Sequence, residues 1–213
     1  MRKLSNYIIV FGLGEINRIF LDTLDKEKNG KTLIIEIDSL NKYTKEYKEK
    51  FCVINDDAFS DNLFNDYLKF KKLGTVLISL GDDLLNLKLF NKIVEKYEAK
   101  TDIKILIHIE NKELEKLFVS NTCKGKPINI KIFSFYREVA KNIFEKYAID
   151  GNTLEYINTT KNFKTILIGN GKLVNEIIYE IATLSHFPNE NKNLIQLSHI
   201  KPNSFWVKAL ITA

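Results

Sequence analysis

Two glycines near the start of the chain are the first residues whose type and spacing could do chemistry. Gly12 and Gly14 directly follow the apolar run Tyr7–Phe11, and a helix-like stretch follows them. Between a buried strand and a helix, the first glycine allows a tight turn and the second lets the backbone approach a pyrophosphate. The helix N-terminus adds free N–H groups and a partial positive charge. The pattern predicts a phosphate-binding turn, formed by Gly12, Leu13, Gly14, Glu15 and Ile16.

An acidic residue stands where a ribose contact is expected. Glu36 follows Gly12 by 24 residues and lies at the end of the second apolar run, Thr32–Ile37. An Asp or Glu about 20 residues after the glycine turn binds ribose hydroxyls in dinucleotide-binding proteins. Asp38 lies on the same face of the strand and is an alternative for this role. A carboxylate here would repel a 2′-phosphate, which argues against NADP.

One position departs from the dinucleotide-binding fingerprint. Asn17 stands where the third glycine is usual. That glycine normally allows close packing of the helix on the strand. We expect its replacement to tighten the phosphate region or to shift the helix. A domain that keeps the fold without a ligand is therefore an alternative to nucleotide binding.

Short apolar runs alternate with amphipathic stretches over the first two thirds of the chain. The runs have strand length and do not alternate with polar residues, which is typical of a parallel sheet covered on both faces. They are Tyr7–Phe11, Thr32–Ile37, Phe51–Ile54, Thr75–Leu80, Lys104–Ile109 and Ile128–Phe133. The predicted helices are Glu15–Leu24, Asn41–Lys50, Phe59–Phe70, Leu84–Tyr97, Lys112–Phe118 and Tyr136–Tyr147. This order predicts an α/β fold, a doubly wound parallel sheet of Rossmann type, with ligands outside the carboxyl ends of the strands.

The same pattern begins again near residue 163. A first domain is predicted over residues 1–147, a polar linker over residues 148–162, and a partial second Rossmann-like β-α-β unit over residues 163–213. Gly169 and Gly171 repeat the first glycine pair. The second unit holds too little sequence for a full sheet of its own.

The second glycine pair has no acidic partner. By their spacing, Gln196 and Ser198 stand where Glu36 and Asp38 stand in the first domain. Without a carboxylate at the strand end, a ribose would lose its expected contact. We therefore expect at most one nucleotide per chain, bound in the first domain.

Composition narrows the class of protein. The chain has 213 residues, 45% of them hydrophobic, and a formal net charge of +5. Its lysines are spread along the whole chain and form no long block of like charge, so nucleic-acid binding is not predicted. Cys52 and Cys123 lack metal-ligand spacing, and no apolar run reaches the roughly 20 residues that cross a bilayer. We expect a reduced, cytoplasmic protein without a metal site.

Five motifs in series resemble the N-terminal nucleotide-binding domain of TrkA-type proteins, also called RCK or KTN domains. That family regulates potassium channels and transporters. The resemblance covers about residues 6–118 and rests on FGLGEINRIF, LIIEID, VINDDAF, VLISLGDDLLNLKLF and IKILIHIENKELEKLF. The chain departs from the family pattern at four positions, namely Asn17 and Asp56 for glycine, Glu36 for aspartate and His108 for arginine.

The resemblance implies a ligand, a site and a partner. The ligand would be NAD(H), with ATP or ADP as alternatives. Glu36 and Asp57, followed by Ala58, would contact ribose and adenine, and the opposite side would be lined by Ser79, Leu80 and Gly81. The partner would be a membrane potassium channel or transporter. The protein would form dimers or larger homo-oligomers and lie in the cytoplasm, at the periphery of the inner membrane.

The leading interpretation is a regulatory nucleotide-binding module that is not an enzyme. No catalytic residue is predicted, because no motif ties a His or Lys to a carboxylate. Asp82 and Asp83 are expected to cap the next helix rather than bind a cation, and His108 is expected to be a hydrogen-bonded structural residue. An NAD-dependent oxidoreductase and a ligand-free Rossmann scaffold are the alternatives.

Overall fold

A computed structural model describes residues 7–24, 31–67, 73–96, 103–122, 129–147, 164–184, 194–198 and 208–212. The chain forms two compact units, residues 1–134 and residues 135–213. This division differs from the predicted first domain, which extends to residue 147. The predicted linker, residues 148–162, lies outside the described residues.

The first unit is a six-stranded sheet in which each strand is parallel to its neighbours. Its strands are β1 (Tyr7–Phe11), β2 (Thr32–Glu36), β3 (Cys52–Asn55), β4 (Leu73–Ile78), β5 (Lys104–His108) and β6 (Asn129–Phe133). They follow the order β3-β2-β1-β4-β5-β6. This is the strand order of a doubly wound Rossmann sheet, so the fold predicted from the apolar runs is confirmed.

Within the described residues of the first unit, four α-helices lie between the strands in sequence. They are α1 (Glu15–Asp22), α2 (Thr44–Lys48), α3 (Asp83–Lys96) and α4 (Lys112–Thr122). The predicted helix Phe59–Phe70 contains a short π-helical segment, Leu63–Tyr67. Leu63 and Phe64 are both buried, so two adjacent side chains of this segment face the core. No helix among the described residues is long and apolar enough to cross a membrane.

Apolar side chains cover both faces of this sheet. Ile9 and Val76 belong to a core cluster on one face, whereas Val10 and Leu77 belong to a cluster on the other. Successive strand residues point to opposite faces, so a run without polar residues fills both clusters. Each fully buried side chain of this size contributes about 1.5–3 kcal/mol. This packing on both faces holds the strands in place. It therefore fixes the position of their carboxyl ends, where the candidate site lies.

The second unit contains the predicted β-α-β arrangement. Strand β7 (Lys164–Ile168) is parallel to β8 (Leu194–Ser198), with helix α6 (Lys172–Leu184) between them in sequence. Helix α5 (Phe135–Lys146) precedes this arrangement, and Ala140 shares a small core with Leu167 and Ile177. This packing explains why α5 groups with the second unit rather than the first.

One strand of the second unit was not predicted. Strand β9 (Lys208–Thr212) pairs antiparallel with β7 on the side opposite to β8. It therefore covers an edge of β7 that the predicted β-α-β unit alone would leave unpaired. The segment Lys208–Thr212 has only three consecutive apolar residues, which is too little periodicity to be recognised as a strand.

Strand register corrects one equivalence drawn from the sequence. Phe11 pairs with Ile35 in the first unit, and Ile168 pairs with Ser198 in the second. Since Phe11 and Ile168 each precede the first glycine of their turns, Ser198 corresponds to Ile35. Residue 199 then corresponds to Glu36, and the assignment of Gln196 to that position is wrong. Residue 199 is a histidine outside the described residues, so the position is not acidic.

Candidate functional site

The first glycine turn lies at the switch point of the sheet, where β1 separates β2 from β4. Gly12 has φ +89°, a conformation that side chains rarely adopt. A Cβ atom here would lie 3.2 Å from the carbonyl oxygen of Ser79 at the end of β4. The Gly12 N–H donates to the carbonyl oxygen of Ile35 at 2.8 Å. The fold itself therefore requires glycine at this position.

The second glycine of the turn has a different role. Gly14 has φ −77° and ψ 178°, an extended conformation open to any residue. A Cβ atom at Gly14 would meet no atom within 4 Å. Neither the backbone nor the packing requires glycine here. The missing side chain leaves open space at the N-terminus of α1, where a ligand could approach the backbone.

The N-terminus of α1 differs from the N-termini of the two longer helices of this unit. The Asp82 carboxylate accepts from Leu85 N at 2.8 Å to cap α3, and the Asn111 side chain accepts from Glu113 N at 2.9 Å to cap α4. Gly14 is the N-cap of α1, and no side chain caps it within the described part of the chain. An uncapped N-terminus leaves backbone N–H groups for water or an anion.

Glu36 lies beside the glycine turn, as its spacing predicts. Its side chain is only 6% exposed and accepts hydrogen bonds from two backbone N–H groups, Leu13 N at 2.6 Å and Asp38 N at 2.9 Å. The Asn41 side-chain amide also donates to it, at 3.3 Å. Glu36 therefore fixes the turn that precedes α1. A ribose hydroxyl would have to share this carboxylate or use the exposed Asp38 instead.

Asn17 explains the departure from the third glycine. Its side chain is fully buried, and Nδ2 donates to three carbonyl oxygens, of Phe11 at 2.8 Å, Gly12 at 3.0 Å and Ser79 at 3.1 Å. The amide thus ties α1 to the ends of β1 and β4. This contact supports the expectation of a tighter turn. The sequence pattern singles out position 17 but does not predict these contacts, because one acceptor, Ser79, lies 62 residues away in the chain.

The predicted adenine side lies at the end of β3. Asp57 is exposed, and its carboxylate accepts from Phe59 N at 2.9 Å, while Ala58 is buried. The preceding Asp56 N donates to the carbonyl oxygen of Glu36 at 3.2 Å. The ends of β2 and β3 are therefore held together, and Asp57 is in contact with solvent.

The opposite side of the turn, at the ends of β4 and β5, is joined by Asn86 of α3. Its Oδ1 accepts from Leu80 N at 2.7 Å, and its Nδ2 donates to the carbonyl oxygen of His108 at 2.8 Å. The side chain is fully buried. Asn86 therefore has a structural role. Ser79 is buried and Gly81 is exposed at this end of β4.

The two carboxylates at the start of α3, Asp82 and Asp83, have different roles. Asp82 caps the helix, as predicted. Asp83 instead accepts from two backbone N–H groups that follow β5, Glu110 N at 3.1 Å and Asn111 N at 2.8 Å. The sequence does not predict this second contact, because helix α3 and strand β5 lie between Asp83 and its partners.

His108 is buried in a side-chain cluster. It is 5% exposed, and its Nε2 lies 2.6 Å from a carboxylate oxygen of Glu110. The Ser134 hydroxyl donates to the other Glu110 oxygen at 2.5 Å. His108 Nδ1 has no hydrogen-bond partner among the described residues. The predicted hydrogen-bonded histidine is confirmed. Sequence analysis overlooked Glu110 and Ser134, although His-x-Glu after a strand is a readable signal.

The sheet order and the switch-point turn define an α/β protein of Rossmann type. No family model and no curated protein matches the sequence. The fold is similar to a solved structure, "Crystal Structure of the GsuK RCK domain", with a TM-score of 0.50 and 14% sequence identity. The similarity covers 67% of this chain but only 29% of that chain. It supports the RCK-like fold that the motifs predict.

Proposed function

We propose that this chain is a cytoplasmic nucleotide-binding module that regulates a membrane potassium channel or transporter. The single observation that carries the proposal is the open space at Gly14, above an N-terminus of α1 that lacks a side-chain cap. Phosphate groups of NAD(H), ATP or ADP would accept hydrogen bonds from this N-terminus. Ribose would contact Glu36 or Asp38, and adenine would lie near Asp57.

Regulation rather than catalysis is the proposed activity. A bound nucleotide changes a transporter only if it binds two conformations of the assembly with different affinity. Dimers or larger homo-oligomers of the chain would supply those conformations. The RCK-like fold supports this part of the proposal, together with the five motifs in series. The transport partner would hold the protein at the periphery of the inner membrane.

One observation favours a second candidate, an NAD-dependent oxidoreductase. A histidine bonded to a carboxylate is a common proton donor and acceptor, and His108 contacts Glu110 at 2.6 Å. However, His108 is only 5% exposed, so a substrate could not reach it without rearrangement. NADH oxidation with a panel of hydroxy acids and aldehydes tests this candidate. Sustained turnover that the His108→Gln variant loses would overturn the regulatory proposal.

The regulatory proposal is tested by calorimetric titration of the wild type and Gly14→Ala with ADP, ATP, AMP, NAD and NADH. Alanine fits the backbone at Gly14 and meets no neighbouring atom, so the variant should fold like the wild type. Its Cβ would nevertheless occupy the space that a phosphate needs. We expect wild-type binding of at least one nucleotide and a loss of about tenfold or more in the variant, or roughly 1.4 kcal/mol.

Thermal unfolding provides the control for this titration. A Gly→Ala change at an N-cap alters stability by about 1 kcal/mol or less. Loss of binding with an unfolding temperature within about 4 °C of the wild type therefore locates the ligand at Gly14. Equal affinity in both proteins would exclude this turn as the phosphate site, and absence of binding by every nucleotide would favour the ligand-free scaffold.

A further inference from the structure

We infer that the site takes an adenine mononucleotide, one adenosine with its phosphates, rather than a dinucleotide that extends across the sheet. The inference rests on the proposed function, because it names the ligand class of the same site. It follows from a difference between the two halves of the sheet. The ends of β1–β3 keep groups that a ligand could use, whereas the ends of β4–β6 use theirs within the protein.

A dinucleotide on this strand order needs both halves of the sheet. It binds across the crevice at the switch point, with one mononucleotide over each half. Its second base and ribose would therefore lie beyond the ends of β4, β5 and β6. Polar groups of a second nucleotide need hydrogen-bond partners there, since burying them without partners is unfavourable.

Backbone groups at the ends of β4 and β5 are already paired by Asn86. It accepts from Leu80 N at 2.7 Å and donates to the carbonyl oxygen of His108 at 2.8 Å. Its side chain is fully buried, so a ligand would have to displace it to reach either group. The Asn86 side chain therefore bridges the chain that follows β4 and the end of β5.

The loop after β5 is occupied in the same way. Asp83 accepts from Glu110 N at 3.1 Å and from Asn111 N at 2.8 Å. Ile109 N donates to the carbonyl oxygen of Phe133 at 2.9 Å. Three consecutive N–H groups of this loop therefore have protein acceptors.

The side chains at this end are bonded to one another. Glu110 accepts from the Ser134 hydroxyl at 2.5 Å and lies 2.6 Å from His108 Nε2. His108 and Ser134 are both buried. A nicotinamide carboxamide placed here would compete with contacts that hold the ends of β5 and β6 together.

Glu36, Asp38 and Asp57 also accept hydrogen bonds from backbone N–H groups of the protein, but the ends of β1–β3 differ in two respects. Gly14 leaves open space at the N-terminus of α1, and no side chain among the described residues caps that helix. Asp38 and Asp57 are exposed carboxylates at the ends of the neighbouring strands. This half can therefore bind phosphate, ribose and adenine, which together make one adenine nucleotide.

Calorimetric titration of the full chain with ADP, ADP-ribose, NAD and nicotinamide mononucleotide tests the inference. We expect ADP-ribose and NAD to bind no more than about threefold more tightly than ADP, and nicotinamide mononucleotide not to bind. An affinity for NAD or ADP-ribose about tenfold or more above that for ADP would overturn the inference but keep the proposed function. Absence of binding by all four ligands, and by ATP, AMP and NADH as well, would overturn both.

The Asp83→Ala variant provides a second test on the other half of the sheet. It removes the acceptor of Glu110 N and Asn111 N without touching the ends of β1–β3. In protein that is shown to be folded by circular dichroism, we expect ADP affinity within about twofold of the wild type. A loss of about tenfold or more would place the ligand against the loop after β5, and would overturn the inference.

Discussion

At the scale of single residues, Asn17 replaces a glycine by using its side chain as a bridge. Its Nδ2 lies within 3.1 Å of three carbonyl oxygens, and the residue is fully buried. An amide nitrogen has two N–H groups, so the three acceptors share them. The contact therefore depends on the donor character of one atom, not on the size of the side chain.

The Asn17→Asp variant tests this dependence, because aspartate has nearly the same shape and no donor when it is ionised. Its carboxylate would face three carbonyl oxygens in a buried site. We expect a loss of about 3 kcal/mol or more in the free energy of unfolding at pH 7, measured with urea. Asn17→Ala is the comparison, with a smaller expected loss of about 1–3 kcal/mol. An aspartate variant as stable as the wild type would contradict the hydrogen-bond assignment.

The charge of Glu15 gives a second residue-scale prediction. It is exposed in the first turn of α1, beside the proposed phosphate position. Its carboxylate would repel a phosphate, so Glu15→Gln should bind ATP about two- to fivefold more tightly and AMP by less. Calorimetric titration of both proteins with ATP and AMP at low salt measures the change in affinity for each ligand. Equal effects on ATP and AMP would argue against phosphates at this helix end.

The sequence predicts some residues of the site better than others. Gly12 and Glu36 follow from spacing, because the turn and the strand end are local features of the chain. The contacts of Asn41 with Glu36 and of Asp83 with the loop after β5 could not be predicted. They depend on how separate segments pack, and no local pattern encodes that.

At the scale of elements, helix α2 is held by its packing rather than by its length. It has only five residues, too few for a stable isolated helix. Tyr47 is buried and stacks on Phe51 with ring centroids 5.9 Å apart. Its hydroxyl donates to Asp22 at the end of α1, at 2.7 Å. Burial, together with the Asp22 carboxylate, raises the pKa of Tyr47 well above its usual value.

This raised pKa predicts a pH dependence of stability. The unfolded tyrosine has a pKa of about 10, so the contribution of Tyr47 is fully present below that pH. It is lost as the pH rises from about 10 toward the higher pKa of the folded state. Tyr47→Phe should lose about 1 kcal/mol at neutral pH and show a shallower decline above pH 10. Parallel urea-unfolding profiles for the two proteins would contradict the contact with Asp22.

The sequence predicts the strands of the first unit better than it predicts some other elements. Strands β1 to β6 correspond to short apolar runs, so their number and their order along the chain could be predicted from the sequence. The π-helical segment Leu63–Tyr67 and strand β9 did not. A widened helical turn leaves the apolar spacing almost unchanged, and the antiparallel pairing of β9 depends on the distant strand β7.

At the scale of the whole molecule, the two glycine turns are expected to differ in function. Gly14 has φ −77°, whereas Gly171 at the equivalent position has φ +101°. The second turn therefore presents its backbone differently, and no acidic residue follows β8 at the register position of Glu36. One nucleotide per chain, bound by the first unit, remains the prediction.

Hydrogen exchange with and without saturating ADP, followed by mass spectrometry, tests this central claim most directly. We predict slower exchange in peptides that cover residues 12–20, because phosphate would accept hydrogen bonds from the uncapped N-terminus of α1. Peptides that cover residues 170–184 should exchange at the same rate in both conditions. Unchanged exchange over residues 12–20, or protection confined to residues 170–184, would contradict the account.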